Sequence, residues 1–190
     1  MEELRDRLKR RPGMGHLTDE QADDLLAEAA DAARDYCGWH IWPEVTEQVT
    51  VDTLGGPVCP LPTLMLHEVT AVETRPRFDL DPGAWEAVTS GWDWSEAGWL
   101  LRCGSWPDGP RAVRPTIRHG YTDPPGAIGS VLLAGASRSE TVPTGVSAEQ
   151  SGGESISYAT AAASEYASTP GLLSAAEHAV LDKYRLANRP

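Results

Sequence analysis

Cys37 and His40 stand three residues apart in DYCGWHIWPE (35–44), a spacing at which a thiol and an imidazole can share a metal or a nucleophilic reaction. Zinc needs further ligands, and Cys59, Cys103, His16, His67, His119 and His178 form no second pair at ligand spacing. A nucleophilic thiolate needs a positive, partly exposed setting. Cys37 instead closes the negative C-terminal end of an acidic helix, which disfavours a thiolate. The stretch therefore predicts a small apolar cysteine in a last helical turn, with Trp39 and Trp42 covering the helix end and His40 orienting locally or facing water. GxSxG, HExxH, GxxxxGK[ST] and GxGxxG do not occur, and GGPVCP and GSWPDGP read as turns rather than phosphate loops. The expectation is a protein that is not an enzyme and uses no metal or cofactor.

The seven tryptophans all lie between residues 39 and 106. Trp92, Trp94, Trp99 and Trp106 cluster in a segment that reads as a hairpin. They fit the core of a small β subdomain in a chain with one Phe, or a protein interface, or a sugar-stacking surface.

Several elements must position these residues. EELRDRLKRR (2–11) places Leu4 and Leu8 on one side of a short helix, read as a frayed, solvated terminus. Thr18 and Gln21 have capping-box spacing, with Asp19 and Glu20 in the first turn. Behind them Ala22, Leu25, Leu26, Ala29, Ala32, Ala33 and Tyr36 make an apolar stripe, and Gly38 stops the helix. The stripe is Ala-rich, so another element can approach closely.

From Val45 to about Tyr121 the pattern alternates with period two. Val45, Val49 and Val51 share a face; VCPLP reads as an edge; TLMLHEVTAVETR reads as one long or two broken strands. WEAV (85–88) and WLLRC (99–103) read as a hairpin around SGWDWSEAG. AVRPTIRHGY (112–121) reads as an edge strand because of Pro115. A mostly apolar helix follows Pro124-Pro125, carrying Ala127, Ile128, Val131, Leu132 and Ala134 to about Arg138. VPTGVSAEQSGGESIS (142–157) reads as a mobile loop or small hairpin, and the mobile stretch is drawn to 167. Ser174 and Glu177 cap a last helix, with Ala176, Ala179, Val180 and Tyr184 on its inner face.

The expected fold is α+β: a small bundle of three to four helices with an inserted antiparallel β subdomain. Residues 1–44 would supply N-terminal helices, 45–121 the insert, and 122–190 the C-terminal helices, as one structural unit. The chain has 190 residues, 41% hydrophobic and 23% charged, which is a globular composition. Its net charge is −12, with a sequence pI of about 4.7, so a broad nucleic-acid-gripping surface is not expected. Three cysteines without CxxC pairs argue against a disulfide framework. Neither a signal peptide nor a membrane span is expected, and synthesis is expected in the cytoplasm.

Read in order, the chain gives CGWHIWPEVTEQVTVD, GGPVCPLP, LMLHEVTAVE, WLLRCGSWPDGPRAVRPTIRHGYTDPPGAI and LLSAAEHAVLDKYRL. From about 17 to 186 it resembles the head-to-tail adaptor (head–tail connector) proteins of long-tailed phages, most closely those infecting actinobacteria. The resemblance implies a virion protein of the head–tail neck. It implies a dodecameric ring of this chain that docks under a portal protein and extends the DNA channel. It also implies a platform for a stopper or tail-terminator protein, with DNA passing through without sequence-specific contacts. Lys183, Tyr184, Arg185, Leu186 and Arg189 are the expected portal-docking segment. Asp23, Asp24, Glu28 and Asp31 are the expected channel or intersubunit face, and Trp92, Trp94 and the 142–157 loop the expected neighbour or tail-side contacts. The rival readings are another neck component such as a stopper, and a Trp-rich carbohydrate-binding module.

Overall fold

The computed structural model describes residues 2–76, 81, 85–141, 148–151, 154–157 and 172–186. It is a mixed α+β chain with four α-helices and antiparallel sheets among these residues. The chain divides into two compact units, Met1–Cys37 with Pro124–Arg185, and Gly38–Asp123 with Leu186–Pro190.

The first unit holds α1 (Glu2–Lys9), α2 (Asp19–Cys37), α3 (Gly126–Thr141) and α4 (Ala175–Leu181), the last running into a 3-10 turn at Asp182–Tyr184. The N-terminus is docked rather than frayed. Leu4 and Leu8 are buried, and Arg11 donates to Leu133 O at 3.0 Å and Ser137 Oγ at 3.2 Å. The basic run that suggested a solvated terminus thus spends Arg5, Lys9 and Arg11 on partners in α2 and α3.

Helix α2 starts as expected. Thr18 Oγ1 accepts from Gln21 N–H at 3.1 Å, and Gln21 Oε1 accepts from Thr18 N–H at 2.9 Å. Its buried stripe is Ala22, Leu26, Ala29, Ala30, Ala33 and Cys37, rotated slightly from the expected one, with Leu25 and Ala32 only half-buried. A Cβ on Gly135 of α3 would lie 3.4 Å from Ala29 Cβ, so α3 is the element that uses the small stripe to come close. In α4 the Ser174–Glu177 capping box is complete. The inner face is Glu177 and Leu181, while Ala176 and Ala179 are exposed, which corrects the expected face. Burying Glu177 is tolerable because Arg138 Nη2 donates to it at 2.7 Å and Ser174 N–H at 2.6 Å.

Also within this unit, β9 (Ala148–Ser151) and β10 (Glu154–Ser157) form a two-stranded hairpin inside the stretch read as a mobile loop. Positions 142–147, 152–153 and 158–171 of that stretch lie outside the described residues.

The second unit contains two sheets. In the larger, β1 (Val45–Gln48) and β2 (Val51–Leu54) run along one side of β8 (Asp108–His119), and β4 (Leu66–Thr74) runs along the other. β5 (Glu86–Ala87) edges β4. The smaller sheet has β3 (Val58–Pro60), β7 (Trp99–Arg102) and β6 (Trp92–Ser95), in that order. β3 is an edge, as its prolines predict.

Two expectations fail here, both over strand neighbours. Pro115 lies in the central strand β8, not at an edge. Val49 N–H donates to Pro115 O at 3.1 Å, so the side of Pro115 that lacks a donor faces the gap between β1 and β2. On its other side Pro115 faces Val72, whose carbonyl is taken by Val88 N–H at 2.8 Å, so no ladder bond is lost there. The ladder breaks opposite the proline, which separates β1 from β2; Val51 keeps the β1 register against β8, and the register shifts between Val51 and Thr53. The hairpin is also different: WDWS is itself a strand paired with WLLR, and β5 belongs to the other sheet. Gly98, at φ +80°, makes the tight turn. A core of Cys59, Leu61, Leu66, Val69, Val72, Leu100, Trp106, Val113 and Ile117 lies within this unit.

Candidate interaction surfaces

Cys37 and His40 do not act together. The Cys37 thiol is buried, donates to Leu181 O at 3.7 Å, and is pushed up to about 12 by desolvation, so it carries no thiolate at neutral pH. His40 Nε2 bonds to Pro43 O instead. Among the described residues no group of three or more His, Cys, Asp or Glu is placed to hold a metal ion.

The densest polar cluster lies where β8 ends. His119 is 1% exposed; its Nε2–H donates to Glu47 Oε1 at 2.9 Å, and its Nδ1 is buried without a partner. With Nε2 committed as donor, a proton on Nδ1 would have nothing to bond. Burial accordingly lowers the His119 pKa despite the Glu47 carboxylate. Beside it Arg118 donates to Glu44 at 2.6 Å and Glu68 at 3.2 Å, and Thr122 donates to Glu44 at 2.9 Å. The Arg118 hydrogen bond holds the Glu44 carboxyl below its ordinary range. His67 bonds to Gly120 O at 2.7 Å, and Gly120 sits at φ +90° where a Cβ would meet Pro43 O at 3.1 Å. These contacts pin the HGY segment to the chain entering β1, and apart from His119 Nδ1 the polar side chains named bond within the chain.

The acidic face of α2 is less uniform than its sequence. Asp23 pairs with Arg5 at 3.0 Å and Asp31 with Arg34. Asp24 and Glu28 stay exposed. In the C-terminal segment Lys183 is exposed and Tyr184 half-buried. The Arg185 guanidinium sits 5.3 Å from the Tyr36 ring centre, and Tyr36 stacks on His178 and donates to Asp182 at 2.6 Å. Leu186 Cβ lies 3.9 Å from where a Gly38 Cβ would stand. Arg189 lies outside the described residues.

Trp92 and Trp94 are half-buried against the core of the sheet unit, with Trp92 Nε1–H bonded to Val88 O at 2.8 Å. The outward tryptophan of the hairpin is Trp99, 36% exposed. Sequence reasoning missed the surface it belongs to, with Val58, Pro60 and Leu101. Three consecutive apolar residues, Trp99, Leu100 and Leu101, cannot reveal which face turns inward until the strand's neighbours are known.

The fold is shared with neck structures. The chain matches no family model and no curated protein by sequence. Among solved structures it is similar over 100% of its length to 92% of a chain in the neck of an empty gene transfer agent particle computed with C6 symmetry, at TM-score 0.62 and 16% identity. It is similar to 91% of a chain in the neck of the native particle computed with C12 symmetry, at TM-score 0.59 and 15% identity. A chain in the virion of the native gene transfer agent particle gives TM-score 0.60 and 18% identity over 92% of its length.

Proposed function

We propose that this chain is a structural component of the neck of a phage-like particle: a ring-forming head-to-tail adaptor that is not an enzyme. In this reading twelve copies close a ring beneath the portal, extend the DNA channel and seat the stopper or tail proteins. The observation that carries it is full-length similarity to chains from necks computed with C12 and C6 symmetry, both compatible with a twelve-fold ring. The net charge of −12 suits a channel that DNA must slide through, since like charge opposes sticking. The side chains at His119 bond to one another and to the backbone, apart from the buried Nδ1 of His119, which fits a scaffold better than a reaction centre.

The test is mass by light scattering, alone and with the portal ring. Binding of about twelve copies per portal is expected for a closed ring of this symmetry. A persistent monomer that ignores the portal overturns the reading. Docking through the C-terminus is tested by reversing the exposed Lys183 (Lys183→Glu) together with removing 187–190, because a cut at 183 would also remove Arg185 from Tyr36. Portal binding should fall while the melting temperature holds; unchanged binding sinks the docking role.

A further inference from the structure

All four large hydrophobic side chains that stand exposed among the described residues lie in the sheet unit, Leu54 at 82%, Val58 at 41%, Leu101 at 39% and Trp99 at 36%, and three of them are on the β3–β7 pair. Val58 and Leu101 are direct cross-strand partners, and Trp99, two residues from Leu101, pairs with Pro60. They therefore share the outer face of the β3–β7 pair, while Cys59 and Leu100 between them fill the core. Leu54 ends β2, four residues before Val58. Val58, Pro60, Trp99 and Leu101 form an apolar strip bordered by the single acid Asp93 of β6, across from Leu101, in a chain with 28 acidic and 16 basic residues. A patch of this kind marks a contact surface.

We propose that this face is one of the two surfaces through which copies of the chain meet in the ring, an inference that rests on the ring reading above. Charge selects the occupant. Two copies each carrying −12 repel wherever acidic surfaces meet, so they associate best where charge is sparse, as on this strip with its one bordering acid. A basic partner would instead be drawn to exposed carboxylates such as Asp24 and Glu28 on α2. A Trp–Leu–Val cluster also has the composition of the core of a permanent homomeric interface. A closing ring is heterologous, so this face meets a different surface on the next copy.

Val58→Asp places a charge on the face at a position that the isolated fold leaves exposed and that is one strand removed from Asp93. Ring assembly on the portal, read by light scattering, should weaken by about 30-fold, with the melting temperature of the free chain unchanged. Cys103, two residues beyond Leu101, is the exposed cysteine, Cys37 and Cys59 being buried. It reports on the unsubstituted protein: its alkylation by a maleimide should slow about 10-fold in the assembled ring. Normal rings from V58D, with Cys103 alkylated as fast as in the free chain, would overturn the inference and leave the ring reading standing. Rings of V58D that form but no longer hold the portal would assign the face to the portal and overturn it equally. Failure of the unsubstituted chain to assemble at all would instead remove the ring reading itself, and this inference with it.

Discussion

The helical unit and the sheet unit close their individual elements over different distances along the chain, although long-range bonds such as Arg11 to Leu133 and Tyr36 to Asp182 also join the helices to one another. In the helical unit, helix starts are closed by side chains three residues away: Thr18 with Gln21, and Ser174 with Glu177. In the sheet unit the corresponding bonds join residues far apart, Arg114 with Glu73 across 41 positions and Arg118 with Glu44 across 74. Local closure lets a helix end form by itself, whereas distant closure makes each bond depend on the register of the whole sheet. The sheet unit should therefore fail as a whole when one turn is blocked, and the helical unit should lose its caps one at a time.

Blocking the tightest turn gives the largest expected effect. A Cβ at Gly98 would lie 2.1 Å from Thr63 O, and φ there is +80°. Gly98→Ala should cost about 3–5 kcal/mol. Hydrogen exchange should rise throughout the sheet unit while α2 and α3 stay protected. A loss confined to the β6–β7 turn would contradict the claim that register couples the whole sheet.

The helical unit should respond in smaller steps. Glu177→Ala removes a cap and a partner of the half-buried Arg138, and should cost about 1–2 kcal/mol. Thr18→Ala removes a solvent-exposed cap and should cost about 1 kcal/mol. Denaturant unfolding of each variant measures both. A Thr18→Ala loss as large as that of Glu177→Ala would show that burial of the cap does not matter.

The same contrast explains what was legible in the sequence. Both capping boxes, the Gly38 stop and the buried Cys37 follow from residues within one or two helical turns, and all four stand where the sequence puts them. Pro115 did not, because whether a strand proline is tolerated depends on what lies across from it, and that is a gap between two other strands. Trp92 and Trp99 are alike in sequence, yet one faces the core and the other solvent. Only the pairing of β6 with β7 separates them. The N-terminal helix was misread for a related reason: its arginines look solvated until α2 and α3 supply their acceptors.

Acid should separate the units most finely, and the sign follows from two pKa directions. His119 is held below its ordinary value, chiefly by burial. The unfolded chain, with a His pKa near ~6.5, then binds the proton more tightly than the folded one. Stability from a neutral His119 is present above that pH and lost as pH falls toward the lower folded value. For Glu177, burial raises the pKa but the hydrogen bonds from Arg138 and Ser174 outweigh it, so the net direction is down. Its contribution is complete above the unfolded Glu value of ~4.3 and is lost only below it. Between roughly pH 6.5 and 4.5 the sheet unit should therefore loosen while the helical unit holds, read as hydrogen exchange in β1 and β8 against α3 and α4. His119→Gln, which keeps a donor for Glu47 but cannot titrate, should abolish that difference. If the two units loosen together in the substituted protein and in the original alike, the buried imidazole is not what distinguishes them.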